Sequence, residues 1–132
     1  MDITVRNVGS WATEDHSWLG SSHGTEATAS ITLDISKFTP ATHYPNGYIP
    51  SGIVLGKVTA TGKYGPYDDT ANDGRAVAAG FLFAVVKPGA STSTPIAAAL
   101  LQHGVVVEAK LPTGNGIGAA AKTDLAGRII VR

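Results

Sequence analysis

Residues 27–36 alternate without a break, with Ala27, Ala29, Ile31, Leu33 and Ile35 falling between Thr28, Ser30, Thr32, Asp34 and Ser36. Side chains of an extended chain point to opposite faces in turn, so this segment reads as a half-buried β-strand. The rest of the chain is built from the same material. Val, Ile, Thr and Ala dominate its apolar runs, and sixteen Gly and seven Pro break those runs into short pieces. β-Branched residues in short runs between such breakers favour strands and turns over helices.

The remaining segments follow from this reading. Residues 2–8 open with Ile3-Thr4-Val5-Arg6-Asn7-Val8, whose alternation also suits a strand. A loop is expected over 37–52, where Pro40, Pro45, Asn46-Gly47 and Pro50 cluster. Residues 53–60 read as a strand, 61–67 as a hairpin extension and 68–74 as a turn-rich loop. Residues 76–86 form the longest nearly unbroken apolar run and read as a buried strand, bulged at Gly80. After a loop over 87–95, residues 96–102 suit a strand or a helix equally. Residues 105–111 read as a strand and 112–118 as a loop. Residues 119–125 suit one or two helical turns ended by Gly127, and 128–132 a terminal strand. No internal repeat is present. The expected fold is mainly β: a small β-barrel or sandwich-like body over residues 27–132 with one short helix, preceded by an extended N-terminal arm over 1–26.

Composition removes several functions. A chain of 132 residues fits one domain. Ten Lys and Arg balance ten Asp and Glu. Nucleic-acid binders usually carry a basic excess, so no direct nucleic-acid partner is expected. Charged residues make up 15% of the chain against an average of about 25%. Little charge repulsion suits a protein that lives inside an assembly. The absence of cysteine rules out disulfides, thiolate nucleophiles and Cys-bound zinc. No apolar run approaches the ~20 residues of a membrane helix, and the N-terminus lacks a secretory apolar core. The chain is therefore expected to be soluble, with no membrane partner and no export signal.

Motifs that resemble catalytic or ligand sites lack their context. Gly20-Ser21-Ser22-His23-Gly24 fits a nucleophile elbow in spelling, but no apolar strand precedes it and no helix follows. Residues 114–119 spell G-x-G-x-x-A, yet the acidic residue required about 20 positions later has no place in the chain. Residues 69–80 would leave a calcium cage incomplete at Ala71 and Gly80. His16, His23, His43 and His103 lack metal-site spacing. No enzyme activity, cofactor or metal is expected.

Residues 9–26 are rich in Ser, Gly, Thr and His, yet they contain both tryptophans, Trp11 and Trp18. Disordered tails are normally poor in aromatics, so this segment is expected to bury its indoles against something else. Charge is uneven as well. Acidic residues prevail over residues 1–40 and basic ones over 110–132, and the plainer reading is ordinary solvated charge.

Two stretches resemble a known family. Residues 49–56 (Ile-Pro-Ser-Gly-Ile-Val-Leu-Gly) lead to Asp73-Gly74-Arg75-Ala76-Val77-Ala78-Ala79-Gly80-Phe81-Leu82, a D-G-x-A-V-x-x-G pattern entering an apolar strand. Residues 125–131 (Leu-Ala-Gly-Arg-Ile-Ile-Val) supply a closing A-G-x-x-I-x-V strand. This order is similar to that of the head decoration protein family of tailed bacteriophages, over about residues 45–132. The resemblance implies a homotrimer on the outer surface of the virion, made in the cytoplasm of the host bacterium. It further implies trimers at local threefold positions of the expanded capsid that hold major capsid protein subunits against the pressure of packaged DNA. The N-terminal arm would pair with the shell as an added strand, with Ile3, Val5, Val8, Trp11 and Trp18 as capsid-binding residues. The longer N-terminal region and the 61–72 loop depart from the family pattern. The plainer alternative leaves 2–8 as an edge strand of the chain's own barrel.

Apolar content in 76–86 and 105–111 exceeds what an uncharged monomer would cover, which also favours a trimer. A second reading is a carbohydrate or host-surface binding domain displayed on a particle, with Tyr44, Tyr48, Tyr64 and Tyr67 as a sugar platform. A third, a small hydrolase, lacks its motifs.

Overall fold

The computed structural model describes residues 14–89 and 91–132. Five strands close into a barrel: β1 (Ala29–Leu33), β2 (Val54–Lys57), β3 (Tyr64–Pro66), β4 (Ala78–Leu82) and β5 (Ile96–Leu101), in the order β1-β3-β2-β4-β5. The alternation of residues 27–36 becomes β1 and the turn after it. Ile31, Leu33 and Ile35 are buried, while Ser30, Thr32 and Ser36 are exposed. Segment 96–102 settles as a strand because β1 offers it a full antiparallel ladder, from Ala29↔Leu100 to Leu33↔Ile96. Long-range pairing decides where the local Ala-rich composition does not. The expected hairpin of 61–67 pairs β3 with β2, from Leu55↔Pro66 to Lys57↔Tyr64. Closure leaves the barrel without an unpaired edge.

A second layer covers one outer wall of the barrel. It holds β6 (Gly104–Val106), β7 (Ile129–Val131) and α2 (Ala119–Leu125). β6 and β7 run parallel, from Gly104↔Ile129 to Val106↔Val131, so a crossover must join them. Helix α2 lies within that crossover and buries Ala121 and Leu125. The strand expected over 105–111 stops at Val106. Beyond it Glu108 N–H bonds the Arg132 carbonyl, and residues 108–110 tighten into a 3-10 turn that returns Leu111 to the packed layer. A further helix, α1 (Pro40–His43), stands in the loop expected over 37–52. Pro40 occupies its first turn, where a missing N–H costs nothing.

Consecutive residues of the shared wall point into two different cores. Leu55, Leu82 and Leu100 fill the barrel with Ile31, Leu33, Ile35, Phe38, Ile49, Ile53 and Val86. Their neighbours Val54, Phe81 and Leu101 pack outward with Ala78, Val106, Ala121, Leu125 and Ile129. A strand buried on both faces loses its polar alternation, which explains the apolar run in 76–86. The bulge expected at Gly80 lies beside it. Leu55 pairs with Gly80 and Gly56 with Ala78, which leaves Ala79 as the extra residue.

Gly80 is required by close approach to β5. A Cβ there would lie 2.2 Å from the Leu101 carbonyl oxygen. Gly80→Ala should therefore cost about 1–3 kcal/mol, the usual range for an overpacked core. Gly89→Ala, where an added Cβ meets nothing within 4 Å, should stay within ~0.5 kcal/mol. Urea unfolding of the two variants checks this, and equal stabilities would remove the proposed constraint at Gly80.

Candidate functional site

The segment from residue 14 to residue 20 is fastened to the body almost residue by residue. Glu14 Oε1 accepts from Val85 N–H at 2.7 Å and lies 3.2 Å from His16 Nε2 through its second oxygen. His16 stacks on Phe83 with ring centroids 4.7 Å apart, and its Nε2 lies 2.7 Å from the Phe83 carbonyl. That contact assigns the ring proton to Nε2. Trp18 Nε1–H donates to Ser51 Oγ at 3.1 Å, and Ser51 Oγ–H donates to the Asp15 carbonyl at 2.7 Å. Val107 N–H donates to the Trp18 carbonyl and Gly20 N–H to the Val105 carbonyl, both at 2.7 Å. Leu19 thus bridges Val106 antiparallel to β6. Residues 18–20 act as a short third strand of the outer layer.

This corrects the expected role of Trp18. Its side chain is 1% exposed and stacks on Phe81 in the outer core, 5.6 Å between ring centroids. An indole wedged between wall and outer layer cannot also anchor to a capsid shell. Its large apolar area and its single N–H are both satisfied within the chain. The segment packed on the body therefore begins by residue 14, inside the expected arm of 1–26. The sequence does carry a signal for this, because Trp18-Leu19 is the one adjacent apolar pair between residues 14 and 26. Ile3, Val5, Val8 and Trp11 lie outside the described residues.

The D-G-x-A-V-x-x-G stretch is a clamp on the barrel. The Asp73 carboxylate accepts from Arg75 N–H at 3.2 Å and from Arg75 Nε–H at 3.0 Å, and Lys37 Nζ stands 3.6 Å away. Arg75 Nη1–H continues to the Pro66 carbonyl at 3.2 Å. Gly74 has φ +112°, and a Cβ there would lie 2.5 Å from the Lys57 carbonyl oxygen. Only glycine fits such a turn. The hydrogen bonds from Arg75 hold the Asp73 carboxyl below its usual range, with lesser help from the Arg75 and Lys37 charges. Nearby, Asp68 accepts from Thr70 N–H and Thr70 Oγ–H, which is turn chemistry. Among the described residues, no group of three His, Asp or Glu could hold a metal ion.

The A-G-x-x-I-x-V stretch is a second clamp. Gly127, at φ +87°, follows α2 and turns the chain into β7. Arg128 donates to the carbonyls of Ala79 at 2.8 Å, Ala78 at 3.3 Å and Asp124 at 3.3 Å. Asp124 Oδ2 accepts from Ala78 N–H at 2.9 Å. Backbone groups at the bulge of β4 thus find partners on α2 and on the turn that follows it.

The four tyrosines do not form an exposed platform. All are partly buried. Tyr44 and Tyr64 pack on the barrel core and Tyr67 on the outer core. Tyr48 lines a cavity of about 170 Å³ with His43, Pro45, Pro50 and Pro112. The apolar surplus expected on 76–86 and 105–111 is largely consumed inside the chain, since Ala78, Phe81, Leu82 and Val106 are fully buried. The large apolar side chains left exposed among the described residues are Val77 and Ile130.

The family model for bacteriophage lambda head decoration protein D matches residues 20–128. The match spans the whole barrel and both clamps. No curated protein matches the chain.

Trp18→Ala should cost about 3–5 kcal/mol, the range for truncating a buried aromatic, and lower the melting temperature of the isolated protein. Trp18 emission should already be blue-shifted before any partner is added, as a Trp11→Phe background would reveal. Unchanged melting and water-like emission would return Trp18 to the surface. The clamp carries a pH signature too. Its carboxyl is depressed in the folded state, so its stabilisation is complete above the ordinary Asp value and disappears as pH falls through the folded value. Asp73→Asn should flatten that part of the acid unfolding curve.

Proposed function

The chain belongs to the bacteriophage lambda head decoration protein family, and from that premise we propose that it works as a trimeric cement on the expanded capsid. Association with a phage head follows from the family itself. The finer reading adds trimers at local threefold positions on the outer surface. Each trimer bridges neighbouring major capsid protein subunits and resists the outward pressure of packaged DNA. The family is structural, and the two motifs that carry the match serve as clamps within the fold.

One observation supports this reading most directly. The strap from Glu14 to Gly20 ties the start of the body to the barrel wall and to the outer layer at once. A pull on residues 1–13 would be delivered to the whole body rather than to a loose tail. Ile3 and Val5 fall on one face of such an added strand and Val8 on the other, and Trp11 supplies a large apolar anchor. Each arm binds weakly by itself. Three arms on one trimer raise the effective concentration of the second and third contacts, and avidity follows without further chemistry. Val77 and Ile130 offer apolar surface for contacts between copies. The partly buried tyrosines give the sugar-platform reading no support.

Two truncations separate arm from body. Removing residues 1–13 should leave the melting temperature nearly unchanged and abolish binding to expanded shells. Removing residues 1–26 should destabilise the body itself, because Trp18 goes with it. Binding of the 14–132 chain with full-length affinity would defeat the arm as anchor. Trp11→Ala should weaken shell binding by about 2 kcal/mol in the intact chain, as for an interface hot spot. A particle reconstruction lacking threefold clusters of this chain would reject the trimer.

A further inference from the structure

Helix α1 is closed by an unusual acceptor. Thr39 caps its N-terminus without using its hydroxyl, and Thr39 N–H donates at 2.8 Å to Nδ1 of His43, four residues on. The ring thereby does what the glutamate of a capping box does, reaching back to the N-cap N–H. Imidazole can accept at Nδ1 only while that nitrogen is unprotonated, so the bond defines a neutral ring with its proton on Nε2. Thr39 and His43 face each other across a single turn, with His43 N–H and Thr42 N–H both on the Thr39 carbonyl.

The surroundings reinforce the neutral form. His43 meets Phe38 edge-on, 5.6 Å between ring centroids, and Phe38 belongs to the barrel core. A concavity beside the ring is lined by Lys37, Thr39, Pro66, Tyr67, Asp68 and Arg75. Of its charged members, Lys37 and Arg75 are cations. The anions are Asp68, which accepts from Thr70, and Asp73 beside them, which pairs with both Arg75 and Lys37. Burial pushes the Tyr67 hydroxyl above the ordinary tyrosine range, so it stays neutral where histidine titrates.

We infer that His43 is a proton-operated latch on α1: a neutral ring holds the first turn closed, and a protonated ring releases residues 39–48. Protonation places an N–H on Nδ1 facing the Thr39 N–H, so two donors oppose each other. It also places a positive charge near that of Arg75. Phe38 and Ile49 bracket the segment inside the barrel core, so release is confined between them; α1 buries no side chain of its own, and Tyr44 gives up its packing on that core. Burial first, then the Arg75 charge, holds the ring below the ordinary histidine range. The sign follows. The latch contributes fully above the ordinary histidine value of about 6.5 and is lost as pH falls through the lower folded value.

An NMR titration of the full-length protein tests the latch. The Thr39 amide and the His43 ring should titrate with one shared midpoint, below that of free histidine. Amide exchange over residues 39–48 should accelerate beneath it beyond the intrinsic pH dependence, while residues 29–33 stay protected. His43→Asn should remove the Thr39 transition. A Thr39 amide that ignores the His43 midpoint, or one that still titrates in His43→Asn, overturns the inference. Should His43→Asn fail to fold, the two midpoints in the native protein decide the matter alone.

Discussion

The wall formed by β2, β4 and β5 is apolar on both faces, and the rest of the molecule is arranged around that fact. A five-stranded barrel can hide only the inward set, here Leu55, Leu82 and Leu100. The outward set of Val54, Phe81 and Leu101 would otherwise face water. α2, the β6–β7 pair and the Trp18 strap exist to cover it. Since Trp18 touches wall and cover together, the strap at the start of the described chain and the crossover near its end belong to one packing unit.

That unit is braced by polar side chains of its own. The side chains of Asp73, Arg75, Asp124 and Arg128 bind backbone atoms of the same chain. They hold a bulge, a tight turn and a parallel crossover that strand pairing alone leaves unsatisfied. His43 lies across a concavity from Lys37 and Arg75 of the first clamp and closes a helix that buries no side chain of its own.

Part of this was legible in the chain. Period-two alternation identified β1, since a strand buried on one face must show it. The apolar run of 76–86 announced a buried strand, and its Gly80 a disturbance in the ladder. Gly127 marked the end of α2. The D-G-x-A-V-x-x-G and A-G-x-x-I-x-V stretches pointed to the family, because glycines at strained turns and residues bonded to backbone leave a recognisable spacing.

Other features were decided only by folding. Segment 96–102 became a strand when β1 supplied its partners, and the strand over 105–111 ended where its pairing with β7 ran out. Trp18 sits in a polar, aperiodic stretch, and nothing local distinguishes an indole bound for a partner from one bound for its own core. Its place depends on Ser51 and Phe81, which lie far along the chain and meet it only after the barrel has closed. Periodicity and turn chemistry are local and can be read from neighbours. Which apolar surface covers which is a long-range choice, made by the area that remains to be buried once the strands have paired.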